Sequence, residues 1–228
     1  DNAFSLVAES LVSIYREQED FEGFKLDCIV NFGMDTKIGK EEFLKTDELK
    51  LADQLYEEAT QNYAQKKEEL KKHALPVFKN IRLTQGSQIE NVVVPLSDGR
   101  KIINSLTNMQ KTLDTQGAEI CDAMERSITL AVIDNAWKEH LRAMDDLKQS
   151  VQTAYLEQKD PLVIYKMEAF NQFKNMDSEV NKEIVSFLCH AAIPVQEQNA
   201  QLREGKKIKT DLSKLSANKE EVETAGKD

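Results

Sequence analysis

Two long segments in the second half of the chain carry apolar residues at the spacing of an α-helix. In the first segment these residues lie three, four or seven positions apart and share one helix face; they are Leu130, Ile133, Trp137, Leu141, Met144 and Val151. The second segment repeats the pattern with Leu162, Ala169, Phe173, Met176, Val180, Ile184, Phe187 and Ala191. Between them, Asp160 suits a helix N-cap and Pro161 suits the first helical position. The pattern predicts a helical hairpin with two apolar faces and a polar tip, a shape that favours a mechanical role over a catalytic one.

The composition favours a helix-rich protein. Of the 228 residues, 40% are hydrophobic and 31% are charged, and the 8 glycines and 4 prolines are too few for a large all-β fold. The net charge of −10 argues against a surface that binds nucleic acid. Three widely spaced cysteines favour a reducing, cytoplasmic compartment. Because the chain begins with Asp1 and not with methionine, we expect it to be a piece of a longer protein.

The predicted hairpin carries motifs that resemble the SecA family of preprotein translocase ATPases. The motifs are the run IDNAWKEHL at 133–141, the residues Ala143, Met144, Asp145, Leu147 and Tyr155, and the run QKDP at 158–161. The resemblance continues along the second helix through Tyr165, Lys166, Glu168, Phe170 and Phe173. In that family these motifs belong to a two-helix finger.

The resemblance implies four regions and a mainly α fold. Residues 1–30 would end a scaffold helix and its connector, and residues 31–117 would form a helical wing domain with a β-insertion at about 77–104. Residues 118–193 would form the two-helix finger of the helical scaffold, a long helical hairpin. Residues 194–228, rich in polar and charged side chains, would be a largely disordered C-terminal linker.

Two apolar, β-branched runs predict the insertion. Residues 77–83 and 92–96 read as strands, Ser97-Asp98-Gly99 reads as a turn, and Pro95 argues for an edge strand. We expect this insertion to pack on the wing and a short helix to follow at 105–115. Before it, apolar spacing predicts helices over 1–18, 40–52 and 50–72. The last of these would turn Leu51, Leu55, Ala59, Tyr63 and Leu70 inward.

The resemblance also implies a function. The parent protein would couple ATP hydrolysis, with Mg²⁺, to the movement of unfolded preproteins through the SecY channel at the inner face of the bacterial cytoplasmic membrane. Its partners would be the SecY channel complex, the unfolded preprotein and the upstream SecA motor domains, and a homodimer stays open. The chain has no Gly-x-x-x-x-Gly-Lys-Ser/Thr loop to cradle phosphates, so we expect no cofactor and no ATPase activity in this piece alone.

The candidate site is the tip of the finger. We expect the tip to contact polypeptide and channel through Tyr155, Gln152, Leu156, Gln158 and Lys159. The amphipathic ring of Tyr155 would press on many different side chains without demanding one sequence; the alternative is a loop tyrosine that packs back on its own hairpin. The expected structural anchors of the finger are Trp137, Leu141 and Met144, with Trp137 as a core residue against a neighbouring helix.

The sequence leaves two other functions open besides translocation. The hairpin could be a protein-interaction module that binds a partner through its apolar faces without moving substrate. An enzyme would require a metal at Glu139, His140 and Asp145, but adjacent helical residues diverge by about 100° and do not converge on one ion. The sequence therefore predicts no catalytic residue and no metal site.

Overall fold

The computed structural model describes residues 2–151 and 160–194, and these ranges are mainly helical. The helices are α1 (Asn2–Gln18), α2 (Phe21–Phe32), α3 (Lys40–Lys45), α4 (Glu48–Gln85), α5 (Met109–Asp114), α6 (Ala118–Ser150) and α7 (Pro161–His190). A single 3₁₀ turn follows α4 at Gly86–Gln88, and two strands complete the fold, β1 (Asn91–Ser97) and β2 (Ile102–Asn108). The predicted fold class, mainly α with a β-hairpin, is confirmed. No helix among the described residues combines the length and the apolarity that a bilayer span requires.

The hydrophobic core lies where α1, α2, α4 and the end of α7 meet. Aromatic side chains dominate it: the rings of Phe24 and Phe43 lie 4.7 Å apart, and Phe4 lies 5.3 Å from Tyr63. All five residues that were predicted to turn inward on the long helix are buried. The buried aromatic rings of α1 and α2 pack between α4 and the end of α7, so the four helices share one hydrophobic core.

Helix α4 extends past the residue where the sequence pattern predicts its end. It runs through Pro76 to Gln85, so the predicted strand at 77–83 is wrong. The inward residues Leu70, Ala74 and Phe78 continue the helical spacing of four and are buried. The packing of this face therefore outweighs the helical hydrogen bond that Pro76 cannot donate and the low helix propensity of the β-branched residues after it.

The β-hairpin instead pairs β1 with β2, in antiparallel register from Asn91 opposite Asn108 to Ser97 opposite Ile102. The turn lies where it was predicted. The Asp98 carboxylate accepts hydrogen bonds from the backbone N–H groups of Lys101, at 2.7 Å, and Arg100, at 2.8 Å. Residues 102–108 form the second strand, so the helix predicted at 105–115 shortens to α5.

One edge of β1 faces away from β2. Met109 N donates to Glu90 O across the ladder, and Ser97 exchanges two 2.8 Å hydrogen bonds with Ala192 on the opposite side. Backbone N–H and C=O groups point to alternate sides along a strand. The backbone groups of the even-numbered residues of β1 therefore bond to β2, and those of Val93, Pro95 and Ser97 point away from β2. Pro95 thus sits where its missing N–H leaves no gap in the ladder, as an edge strand allows.

The expected packing on the wing is present where Val94 of β1 lines a groove with Leu70 and Phe78 of α4, but the hairpin packs mainly against the finger. Strand β2 lies along α6, where Ser127 Oγ donates to Ser105 Oγ over 3.2 Å. The turn reaches α7 through an ion pair between Lys101 and Glu183. The insertion therefore holds both finger helices near their base.

Both finger helices begin with the residues that the sequence singles out. Helix α6 starts at Ala118 after Gly117, whose φ of 94° lies in the region that favours glycine. Asp160 caps α7 by accepting a 2.9 Å hydrogen bond from Leu162 N, and Pro161 occupies the first turn. The sequence-based prediction of these two starts is confirmed.

Candidate functional site

Helices α6 and α7 form an antiparallel pair. The ring of His140 lies 5.9 Å from Phe173 and 5.6 Å from Trp137. His140 and Phe173 are nearly the same number of residues from the connection between the helices, and such pairing of equidistant residues is the pattern of an antiparallel hairpin. At 1.5 Å per residue, the 33 and 30 residues of the two helices span about 50 and 45 Å.

The base of this pair is buried and the remainder is exposed. On α6 the buried residues are mostly in the first half, from Ile120 to Val132, and on α7 they are in the last two turns, from Ile184 to Cys189. Beyond the base, large apolar side chains face solvent on both helices, among them Ile133, Leu141, Leu162, Met167 and Phe170. The pair is therefore an arm that is fixed at one end, with an apolar surface along its length.

The five residues predicted for the fingertip lie outside the described residues. Tyr155, Gln152, Leu156, Gln158 and Lys159 all belong to 152–159, between the end of α6 and the cap of α7. Their proposed contacts stay a prediction.

The predicted anchors do not lie in a core. Trp137 is 46% exposed and Leu141 is 50% exposed, while Met144 is partly buried. The expectation that Trp137 is a core residue is wrong for the residues described, because Trp137 lines an open groove with residues of α1 and α4 and is not enclosed by them. An anchoring role for these three side chains in a larger protein stays a prediction.

A groove of about 820 Å³ lies at the base of the arm, between α1, α4, α6 and α7. Its apolar wall is formed by Phe4, Ile133, Trp137, Phe173, Met176 and Val180. The start of α1 contributes Ala3 and Phe4 to the lining. The groove combines residues from four helices, so helical periodicity within any single segment could not predict it.

A polar network joins α4 to α6 at the wall of this groove. Tyr63 Oη donates to Glu125 Oε1 over 3.0 Å, and the Lys67 ammonium lies 3.1 Å from the same oxygen. Burial, together with the nearby Glu125 carboxylate, raises the pKa of Tyr63 well above its ordinary value. Tyr63 therefore stays protonated and acts as a hydrogen-bond donor that ties the two helices together.

The three side chains that a metal site in the finger would require do not converge. Glu139 and Asp145 are exposed, and the ring of His140 contacts the Trp137 ring in a tilted arrangement and the Phe173 ring edge-on. Within residues 2–151 and 160–194, no three histidine, cysteine, aspartate or glutamate side chains are grouped so that they could hold an ion.

The three cysteines are buried, each on a different helix. Burial raises the pKa of Cys28 and of Cys189 to about 12, and that of Cys121 to about 11. Since the thiolate is the nucleophile, thiols with such values are unreactive near neutral pH. These cysteines are therefore packing residues.

Comparison with known proteins identifies one family. Residues 2–192 match the family described as SecA Wing and Scaffold domain. The protein translocase subunit SecA of Christiangramia forsetii is 43% identical over 188 residues, which cover 82% of this chain and 17% of that protein. The corresponding subunit of Flavobacterium psychrophilum is 40% identical over 182 residues, covering 80% and 16%. That of Porphyromonas gingivalis strain W83 is 35% identical over 231 residues, covering 97% and 21%. The chain thus spans between 16% and 21% of the length of these relatives.

Proposed function

Because the chain belongs to the SecA family, we propose that it supplies the wing and scaffold region of a preprotein translocase. The whole protein would couple ATP hydrolysis to the passage of unfolded preproteins through the SecY channel, as a peripheral protein at the cytoplasmic face of the membrane. This chain would contribute the two-helix finger, the part that meets channel and substrate.

The observation that carries the proposal is the arm formed by α6 and α7. Its base is held by the core, by the β-hairpin and by the Tyr63–Glu125 hydrogen bond, while its remaining length extends free of the body. A long helical pair that is rigid at its base transmits a displacement from the base to the far end. A finger that is moved by a motor domain must transmit displacement in this way.

The nucleotide chemistry belongs elsewhere in the proposed translocase. The sequence has no Gly-x-x-x-x-Gly-Lys-Ser/Thr loop, and none of the four glycines with positive φ begins such a loop before a helix. The residues present do not fit ATP or Mg²⁺. We therefore assign the binding of both to motor domains outside this chain.

Translocation of a preprotein in vitro by the full-length protein tests the finger. Tyr155→Ala should reduce transport strongly, while Tyr155→Phe, which keeps the ring, should preserve it. ATP hydrolysis should survive in both variants, because Tyr155 lies outside the motor domains to which we assign the nucleotide site. Gln158→Ala, a change at the same tip without loss of a ring, serves as the control. Normal transport by Tyr155→Ala would contradict a mechanical contact at this residue.

The exposed apolar surface of the arm favours a second candidate, an interaction module that docks on a partner without moving substrate. Large apolar side chains such as Leu141 and Phe170 are at least half exposed, as at a protein interface. In that case Leu141→Gln should abolish binding of the partner, whereas Tyr155→Ala should have no effect on transport. A translocation finger gives the opposite result at Tyr155.

A further inference from the structure

Helices α4 and α6 run antiparallel and contact each other through pairs of residues that recur once per helical turn. The pairs are Tyr63 with Glu125, Lys67 with Cys121, and Lys71 with Gly117. The Cys121 thiol donates to the backbone oxygen of Lys67 over 3.7 Å. A Cβ atom on Gly117 would lie 3.3 Å from Cγ of Lys71, so the two helices approach closely at this end of the contact.

The two helices separate beyond the pair of Tyr63 and Glu125. The residues that come next along them, Thr60 on α4 and Thr129 and Ile133 on α6, line the groove of about 820 Å³. Tyr63 and Glu125 line the same groove. Their hydrogen bond therefore lies where the contact ends and the groove begins, and there a change in the angle between the helices would separate the bonded atoms most.

The hydrogen bond between Tyr63 and Glu125 is suited to fix this angle. Tyr63 is 8% exposed, and its ring centroid lies 5.3 Å from that of Phe4, which holds the donor in place. The acceptor is a carboxylate, and a hydrogen bond to a charged acceptor is stronger than one between neutral groups. Apolar packing permits small sliding of packed helices, whereas a hydrogen bond is directional.

The ion pair at the same carboxylate contributes less. The Lys67 ammonium also reaches Glu125, but the two side chains are 34% and 38% exposed. Solvent and salt weaken an ion pair of this kind. The direction of α6 relative to α4 therefore depends mainly on the Tyr63 hydroxyl.

We propose that the Tyr63–Glu125 hydrogen bond sets the angle at which the finger leaves the wing, which makes Glu125 a positioning residue for translocation. Helix α6 continues about 37 Å beyond Glu125, so a change of about 5° in its direction moves its far end by about 3 Å. A finger that points elsewhere presents its tip in the wrong place. The role in translocation rests on the proposed function, whereas the angle itself does not.

The distance between two spin labels on the full chain tests the angle. Lys72→Cys on α4 and Asp145→Cys on α6 place the labels on exposed positions, and the native thiols are buried. Pulsed electron resonance then gives the distance distribution. Tyr63→Phe and Glu125→Ala should each raise the ratio of displaced to undisplaced arms at least about fivefold, through loss of the hydrogen bond. Unchanged distributions in both variants would overturn the proposal.

Two further variants separate the hydrogen bond from its surroundings. Glu125→Gln removes the charge but keeps an oxygen that accepts from Tyr63, so its distribution should match the wild type. Displacement as large as in Glu125→Ala would assign the angle to the ion pair and overturn the proposal. Glu119→Ala removes a carboxylate whose partner, Arg126, lies on α6 itself. This control should also match the wild type, and equal displacement would indicate general loosening of α6 instead.

Translocation by the full-length protein tests the positioning role. Glu125→Ala should lower the amount of preprotein transported per ATP hydrolysed, and Glu125→Gln should restore it. Tyr155→Ala is measured beside them. Normal transport by Tyr155→Ala counts against the proposed finger and leaves the angle to be decided by the spin labels. If Tyr155→Ala blocks transport while Glu125→Ala transports as the wild type does, the positioning role is overturned and the finger stands.

Discussion

At the scale of single residues, Tyr63 connects three helices at the base of the arm. Its ring packs on Phe4 and its hydroxyl donates to Glu125, so one side chain joins α1, α4 and α6. The sequence predicts that Tyr63 is buried from helical spacing. It could not predict the partner, because Glu125 lies 62 positions along the chain and is one of many carboxylates.

Tyr63 makes stability fall at alkaline pH. The folded-state pKa of Tyr63 is raised above its ordinary value of 10.0, so above about pH 10 the unfolded chain loses a proton that the folded chain keeps. The free energy of unfolding should therefore decrease as pH rises beyond 10. Tyr63→Phe should lower stability by about 1 kcal/mol at pH 7 through loss of the hydrogen bond.

The same variant should lose less stability than the wild type between pH 10 and 11, since it has no proton to release at this position. Urea unfolding followed by circular dichroism at pH 7, 10 and 11 measures both effects. Some alkaline loss should remain, because burial and the Asp27 carboxylate raise the pKa of Tyr15 to about 12. An unchanged pH slope in Tyr63→Phe would contradict the role of the buried hydroxyl.

At the scale of elements, α4 tolerates a proline in its interior because its inward face is packed on both sides of it. Pro76 is exposed, while Ala74 and Phe78 beside it are buried. Pro76→Ala should restore a helical N–H without loss of core packing. We expect the free energy of unfolding to rise by roughly 1–3 kcal/mol, as measured by urea denaturation. Lys79→Ala, also exposed in this helix, is the control and should change stability by less than about 0.5 kcal/mol. A decrease in Pro76→Ala would indicate that the proline has a structural role.

The same stretch marks the limit of the sequence-based prediction. Caps and turns have local causes, so the starts of α6 and α7, the turn at Asp98 and the edge position of Pro95 follow from the sequence. The secondary structure of residues 77–83 does not follow from the sequence, because Val77 and Ile81 favour a strand and Pro76 favours the end of a helix. Contacts with distant parts of the chain decide it. The contacts between the β-hairpin and the finger are equally non-local, which is why the sequence does not predict them.

At the scale of the whole molecule, the exposed apolar surface of the arm predicts association of the isolated chain. Contiguous apolar surface of this kind is typical of an interface. The weight-average mass in sedimentation equilibrium should increase between micromolar and hundred-micromolar protein. Leu141→Gln combined with Phe170→Gln should weaken the association at least about tenfold, since each removes a large exposed apolar side chain.

The control for that experiment is Leu83→Gln. Leu83 is 84% exposed but lies on α4, away from the arm. Its replacement should leave the mass unchanged. A monomer at all concentrations, or equal effects of the two variants, would contradict an interface on the arm.

The arm that leaves the core beyond Val132 behaves as a cantilever. For a slender rod clamped at one end, the deflection under a given load rises steeply with the free length, so the stiffness at the far end depends on where the clamp stops. The last clamping side chains are Ile128 and Val132 on one helix and Ile184 on the other. Loss of this packing over one helical turn would lengthen the free part of the arm and make its far end more flexible, although no residue at that end has changed. Substitutions at the root therefore tune the compliance of a region that they never touch.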